Sequence, residues 1–337
     1  MIAAHQLDDA QRLCAHLLRS RELYAPQQVD GEARYVRLLE PVDLPARALR
    51  PLFSPKQAFF AEREPLFRFE RGRFVEILPE VPAQALFGVA PCDLAAIAYQ
   101  DRFFHHDPHY RRRRQATLLV GVDCARACAG GFCHVMDTGP SARPETADLV
   151  LHRLHNAEAP PWLLLVETSA GAAALEGFAL AAPVGIDVDI AAIRRTSDDR
   201  VRGELTAAAP LRAGLSRIRA RTVSSEQWDA IGLSCVACTG CTTVCPTCSC
   251  FAPRELPGPA RERVWDSCIL EGFAREASGH HPAPSPGQRV QRFFDHKLGS
   301  EYVTPEGIAG CVGCGRCDVV CPGSIGMRSV LNEVAAP

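Results

Sequence analysis

The chain has sixteen cysteines, and eight of them fall into two matching runs. The first is Cys235-Val-Ala-Cys238-Thr-Gly-Cys241-Thr-Thr-Val-Cys245-Pro246 and the second is Cys311-Val-Gly-Cys314-Gly-Arg-Cys317-Asp-Val-Val-Cys321-Pro322. Three thiolates stepped by three residues point inward around one cubane of iron and sulfide, and the fourth, turned away by its proline, reaches a second cubane. The spacing therefore predicts crossed sets for two [4Fe-4S] clusters: Cys235, Cys238, Cys241 and Cys321 for one, Cys311, Cys314, Cys317 and Cys245 for the other. Gly313 and Gly315 leave room for backbone amides to approach cluster sulfides. Zinc is the bland alternative, but its sites favour two separated cysteine pairs.

A second group lies upstream. Cys92 follows one predicted strand, and Cys124, Cys128 and Cys133 follow another. Carboxyl ends of adjacent parallel strands open on one crevice, which would bring Cys92 to the other three. The readings open at this point are a third cubane, a zinc site, or unligated buried or reactive thiols. Cys248, Cys250 and Cys268 make a trio with no evident fourth thiol and are read as packing against the first cluster. Cys14, on the apolar face of a helix, is read as a packed thiol.

The elements that must position these residues follow from periodicity. Asp8 to Arg21 has helical spacing with Asp8 or Asp9 as cap. Short strands are expected at Tyr35–Leu39 and Phe74–Leu78, and buried strands at Ala85–Ala90, Thr117–Val122, Leu149–Leu154 and Trp162–Glu167. Asp93 is expected to cap the helix after Ala90, and Ala172–Leu180 and Asp189–Trp228 read as helical. Alternation of strands and helices predicts an α/β N-terminal domain over residues 1–200. Residues 201–337 are expected to form an α-helical, dicluster ferredoxin-like domain, with the long insertion between the two cysteine runs folding as a helical layer beside the clusters.

Composition narrows the function classes. At 337 residues and a net charge of −2 the chain can bury a large core, and nothing suggests a nucleic-acid surface. No stretch approaches the length of a membrane span and no signal-peptide pattern opens the chain, so a cytoplasmic protein with reduced thiols is expected. Lysine occurs only at Lys56 and Lys297; this reads as coding bias, and Lys56 as a surface residue. Arg111 to Arg114 reads as a solvated face. No GxGxxG, GxxxxGK[ST] or GxSxG motif offers a handle for nucleotide or acyl chemistry.

Several of these segments together resemble a family. Phe87-Gly-Val-Ala-Pro-Cys92-Asp-Leu-Ala-Ala-Ile, Phe132-Cys133-His-Val-Met-Asp-Thr-Gly139-Pro140, Cys245-Pro-Thr-Cys248-Ser-Cys250-Phe, Trp265-Asp-Ser-Cys268 and the terminal Cys311 run are similar to the dicluster 4Fe-4S subunits. These occur as the beta component of soluble nickel–iron (sulf)hydrogenases and as the iron–sulfur electron-transfer component of anaerobic sulfite reductase. The resemblance implies a non-catalytic electron-transfer subunit linking a flavin- and NAD(P)-reacting reductase partner to a catalytic metalloenzyme subunit. Other readings of the residues are an iron–sulfur redox sensor or scaffold, and a self-contained reductase of sulfur compounds acting through the Cys92 and Cys124 region.

Overall fold

A computed structural model describes residues 1–44, 49–154, 161–185, 188–205, 207–257 and 260–336. In chain order the elements are β1 (Ala3–Leu7), α1 (Ala10–Leu17), β2 (Glu22–Val29), β3 (Glu32–Arg37), β4 (Arg63–Glu70), β5 (Arg73–Glu76), β6 (Gln84–Val89), α2 (Pro91–Phe103) and α3 (Pro108–Gln115). There follow β7 (Thr117–Val122), β8 (Leu149–Arg153), β9 (Trp162–Val166), α4 (Ser169–Ala174), α5 (Ile190–Glu204), α6 (Ala208–Arg219), α7 (Ser225–Leu233) and α8 (Gly240–Val244). Last come β10 (Phe251–Leu256), β11 (Ala260–Trp265), α9 (Pro286–Leu298), α10 (Arg316–Val320) and α11 (Met327–Glu333).

A seven-stranded sheet in the order β1-β9-β8-β7-β6-β2-β3 forms the first layer. Its centre, β2-β6-β7-β8, is parallel, and β1, β9 and β3 pair antiparallel at its flanks. The uninterrupted apolar runs of β6, β7 and β9 are buried on both faces, as strands covered from both sides must be. One face packs on α1 through Leu13, Cys14 and Leu17, and the other on Phe59, Phe60, Leu94 and Ile97. Cys14 is buried there and its thiol is pushed up chiefly by that burial.

Several expectations need correcting. The insertion between the cysteine runs is not purely helical: β10 and β11 form a hairpin that pairs with β4 and β5 in a four-stranded sheet. Arg263 on β11 secures it, forming ion pairs with the buried Glu64 and with Asp107, and lying over Phe60 and Phe104. Asp93 does not cap α2. The cap is Ala90 followed by Pro91, and Asp93 instead pairs with Arg316. The stretch 189–228 breaks into α5, α6 and part of α7, with residue 206 outside the described residues, and the helix expected at 172–180 is the shorter α4. Arg113 and Arg114 are not solvated ornaments, because they pair with Glu64 and Asp101.

The C-terminal core is a helical packing of α6, α7, α9 and α11 through Leu211, Trp228, Phe293, Phe294, Val330 and Leu331. Capping boxes at Ser224/Gln227 and Ser285/Gln288 start α7 and α9. These helices approach closely at glycines: a Cβ on Gly214 would lie 2.0 Å from the Leu331 carbonyl oxygen. A smaller cluster, Ala90, Cys92, Ala95, Ala96, Cys133, Ile308, Val312 and Cys314, joins this core to the carboxyl end of the large sheet. Among the described residues no helix is long and apolar enough to cross a membrane.

Candidate metal centres

The two cysteine runs have the same backbone. In the first, Ala237 and Thr239 are left-handed with φ of 53° and 64°, and α8 begins at Gly240. In the second, Gly313 and Gly315 have φ of 64° and 72°, and α10 begins at Arg316. Left-handed residues at these points turn successive N–H groups toward one concavity, which suits anionic sulfur. The short helices α8 and α10 meet, with Gly240 facing Val320, so the two runs lie side by side.

Cys321 sits with the triplet of the first run, and Cys245 lies between the two runs. Cys235, Cys238 and Cys241 line one cavity together with Cys321, walled by Ile269, Val290, Phe293 and Phe294. Cys245 lies close enough to Cys311 and Cys314 to disfavour their ionisation, adding to the larger effect of burial on both. Burial, and then Cys245, Cys235, Cys248 and Cys321, push the Cys241 thiol up to about 12. Thiols that oppose each other's ionisation in this way call for a compact cationic core, since the thiolate is the ligand. Among the described residues no three Cys, His, Asp or Glu side chains are arranged to chelate a single ion.

Donors to sulfur are in place as well. The Gly313 N–H donates to Cys311 Sγ at 3.4 Å and the Met327 N–H to Cys317 Sγ at 3.3 Å. The Thr247 hydroxyl lies 3.2 Å from Cys245 Sγ. Such bonds stabilise charge on sulfur and tune a cluster's potential.

The upstream cysteines also converge. Cys92 opens α2 just beyond β6, and Cys124 follows β7, the adjacent parallel strand. Cys124 is pushed well up by burial and then by Cys133 and Cys128, and burial followed by Cys128 pushes Cys133 up to about 12. For Cys92 burial comes first, and Asp93, Cys314 and Cys133 add to it. The loop 124–140 rests on the second run: the Phe132 N–H donates to the Gly313 carbonyl at 2.7 Å, and the Thr138 hydroxyl to the Val312 carbonyl at 2.7 Å. Asp123, held low despite its burial by His152 and Arg194, anchors the base of that loop. The Tyr35 hydroxyl is buried without a hydrogen-bond partner among the described residues and lies within electrostatic reach of Cys92. Cys92, Cys124, Cys128 and Cys133 thus offer four thiols at one end of the sheet, the number that a third cluster would need.

Four residues that matter here were not singled out by motif. Arg316 is buried in a bidentate pair with Asp93, at 2.5 and 2.7 Å, and its Nε donates to the Pro51 carbonyl at 2.8 Å. Arg50 bridges the upstream loop and the second run through the carbonyls of Ala129 and Cys314. The two lysines are both buried, which corrects the reading of Lys56 as a surface residue. Lys56 Nζ lies 3.8 Å above the Trp265 ring and contacts the carbonyls of Thr242 and Thr243, whereas Lys297 Nζ donates to the Thr247 carbonyl and hydroxyl at 3.0 Å. Nothing in their local sequence marks them except that the chain has no other lysine.

Residues 234–325, which hold both runs, match the 4Fe-4S dicluster domain family. That places the paired motifs in a class of iron–sulfur electron-transfer domains. Over 320 residues, 93% of this chain and 92% of the relative, the chain is 28% identical to sulfhydrogenase 2 subunit beta of Pyrococcus furiosus. Both matches agree with the resemblance carried by the cysteine motifs, to dicluster 4Fe-4S subunits of hydrogenase-beta type. No solved structure matches the chain.

Proposed function

We propose that this chain is a cytoplasmic, non-catalytic subunit that relays single electrons between a flavin- and NAD(P)-reacting reductase partner and a catalytic subunit of hydrogenase or sulfite-reductase type. The observation that supports the reading is that Cys321 lines one cavity with Cys235, Cys238 and Cys241, while Cys245 lies near Cys311 and Cys314. In this reading, Cys235, Cys238, Cys241 and Cys321 hold one [4Fe-4S] cluster, and Cys311, Cys314, Cys317 and Cys245 hold the other. Cys92, Cys124, Cys128 and Cys133 hold a third. When bound, each cubane supplies one-electron chemistry.

The protein's own residues do the rest. Phe293, Phe294 and Ile269 keep water from the first set, while the loop 124–140 and Arg50 cover the second. Buried Arg316 and Lys297 set positive charge beside the second set, which favours an electron there. The three sets lie in series, since Cys314 of the second is close to Cys92 and Cys133 of the third, and Cys245 of the second is close to Cys241 of the first. The first set ends the series at a surface where Cys238 is exposed among the exposed apolar side chains Leu233, Val236 and Val319. Such a patch beside a redox centre fits the docking face of a partner subunit.

Anaerobic metal analysis tests the reading. About twelve irons per chain are expected, four per cubane, falling by about four in Cys133→Ser. A wild-type chain with fewer than about four irons after reconstitution would reject the relay altogether.

A further inference from the structure

The thiols Cys248, Cys250 and Cys268 belong to none of the three sets, yet they are not isolated packing residues. Cys250 interacts with the thiols of both Cys248 and Cys268, and the Cys268 backbone N–H also points to Cys250 sulfur. Both lysines of the chain are buried beside this trio. Lys56 lines a small cavity with Cys248 and Cys250, and Lys297 lines a larger one of about 260 Å³ with all three thiols. The larger cavity opens to solvent between Tyr99, Phe103, Phe251, Phe273 and Tyr302, with His296 at its wall. Cys250 is half-buried and reaches it, whereas Cys248 and Cys268 are fully buried behind it. In a chain that otherwise uses arginine for every side-chain cation except histidine, two buried ammonium groups converging on one thiol cluster are a local requirement and not a compositional accident.

Three thiols without a fourth leave a cubane's ligand set incomplete, and two flanking cations disfavour a divalent ion. The two ammonium groups stand on the walls of the cavities that the thiols line, where a thiolate leaving from a disulfide would need a counter-charge. We propose that Cys250 and Cys268 form a redox-active dithiol whose substrate is a small organic disulfide entering the aromatic cavity. Cys250 sulfur forms a bond to one sulfur of the substrate, whose S–S bond breaks and releases one thiolate. Cys268 sulfur then bonds to Cys250, breaking the mixed disulfide and releasing the second thiolate. The two protons of the protein thiols go to the two leaving groups, so the substrate is reduced by two electrons and the Cys250–Cys268 pair is oxidised by two. Lys297 holds the leaving thiolates, and Cys248 with Lys56 keeps Cys250 oriented from behind. Return to the dithiol takes two electrons and two protons. For that return alone, the inference rests on the electron-transfer reading above.

The test maps thiols and does not depend on turnover. The iron-loaded chain is treated anaerobically with 2-hydroxyethyl disulfide, alkylated under denaturing conditions, and digested for mass spectrometry. A Cys250–Cys268 linkage in most molecules is expected, together with release of two equivalents of 2-mercaptoethanol per chain. Cys268→Ser should trap 2-mercaptoethanol on Cys250, with iron content and paramagnetic resonance signals unchanged, and Lys297→Met should slow the exchange at least tenfold. Both thiols remaining free in an iron-replete chain would overturn the proposal. A chain that lacks iron but still forms the linkage would instead reject the relay and leave the dithiol standing.

Discussion

The two cysteine runs share one backbone path but live in different surroundings. The second run is sealed: Cys311 and Cys314 are buried, and loop 124–140 lies against Gly313 and Gly315. The first run faces outward, with Cys238 exposed. Their left-handed positions follow the surroundings. A Cβ on Gly315 would lie 2.2 Å from the Gly130 carbonyl oxygen, and one on Gly313 would lie 2.7 Å from Phe132 and Cys133 backbone atoms. At the matching places in the first run Ala237 is exposed and Thr239 half-buried, and both hold a positive φ. Identical ligand geometry thus leaves burial free to differ, so one centre can be an interior relay and the other a point of exchange.

The largest effect should come from putting the first run's residue into the second. Gly313→Ala, which puts the residue of position 237 at its matching place, adds a left-handed penalty of about 1–2 kcal/mol and an overpacking cost of about 1–3 kcal/mol. Chemical denaturation should show the combined loss, while Ala237→Gly should leave stability level or raise it by up to about 1 kcal/mol. Equal responses at the two sites would break the comparison.

Of similar size is the effect of breaking the buried pair beside the second run. Arg316→Met leaves Asp93 uncompensated in the interior and should cost about 3–5 kcal/mol in the same measurement. Double replacement, Asp93→Leu with Arg316→Met, should recover much of that. A single variant as stable as the parent would mean the pair does not hold α2 against α10.

Exposure predicts an order of loss. On brief exposure to air about four irons should leave first, from the outward set, and the Cys235–Cys241 thiols should become alkylatable before Cys311 and Cys314. Simultaneous release would contradict the difference in cover.

The smallest effect concerns acid. Burial pushes the Asp107 carboxyl up, but Arg263 and the Tyr110 N–H outweigh it, so its folded pKa lies below the ordinary 3.8. A depressed carboxylate stabilises the fold fully above its unfolded pKa, and that contribution disappears as pH falls through the folded value. Thermal melts of Asp107→Asn and parent should therefore differ above about pH 4 and converge below it, with the change centred on the hairpin's junction with α3.

What the sequence made legible was spacing. The two runs, the buried strands β6 and β7, and the placement of Cys92 and Cys124 at neighbouring carboxyl ends all followed from offsets and apolar runs. The hairpin did not, because Phe251-Ala-Pro-Arg-Glu-Leu and Ala260-Arg-Glu-Arg-Val-Trp are charged, and Pro253 argues against a strand. Their partner strands lie nearly two hundred residues away, and such pairing has no local signature. β2 was hidden in the same way by Pro26. Asp93 has the residue type and place of a cap, and only the distant Arg316 reveals its other role. The lysines were visible as a scarcity, but their meaning depended on where the chain buries them.

The crossing of the fourth cysteines can be tested most directly with Cys321→Ser, reading iron content and paramagnetic resonance together before and after brief exposure to air. The account predicts loss of the air-sensitive, outward centre's signal while the sealed centre, served by Cys245, keeps its own. Loss of the sealed centre with the outward one intact would show that each run closes on itself, and would contradict the account.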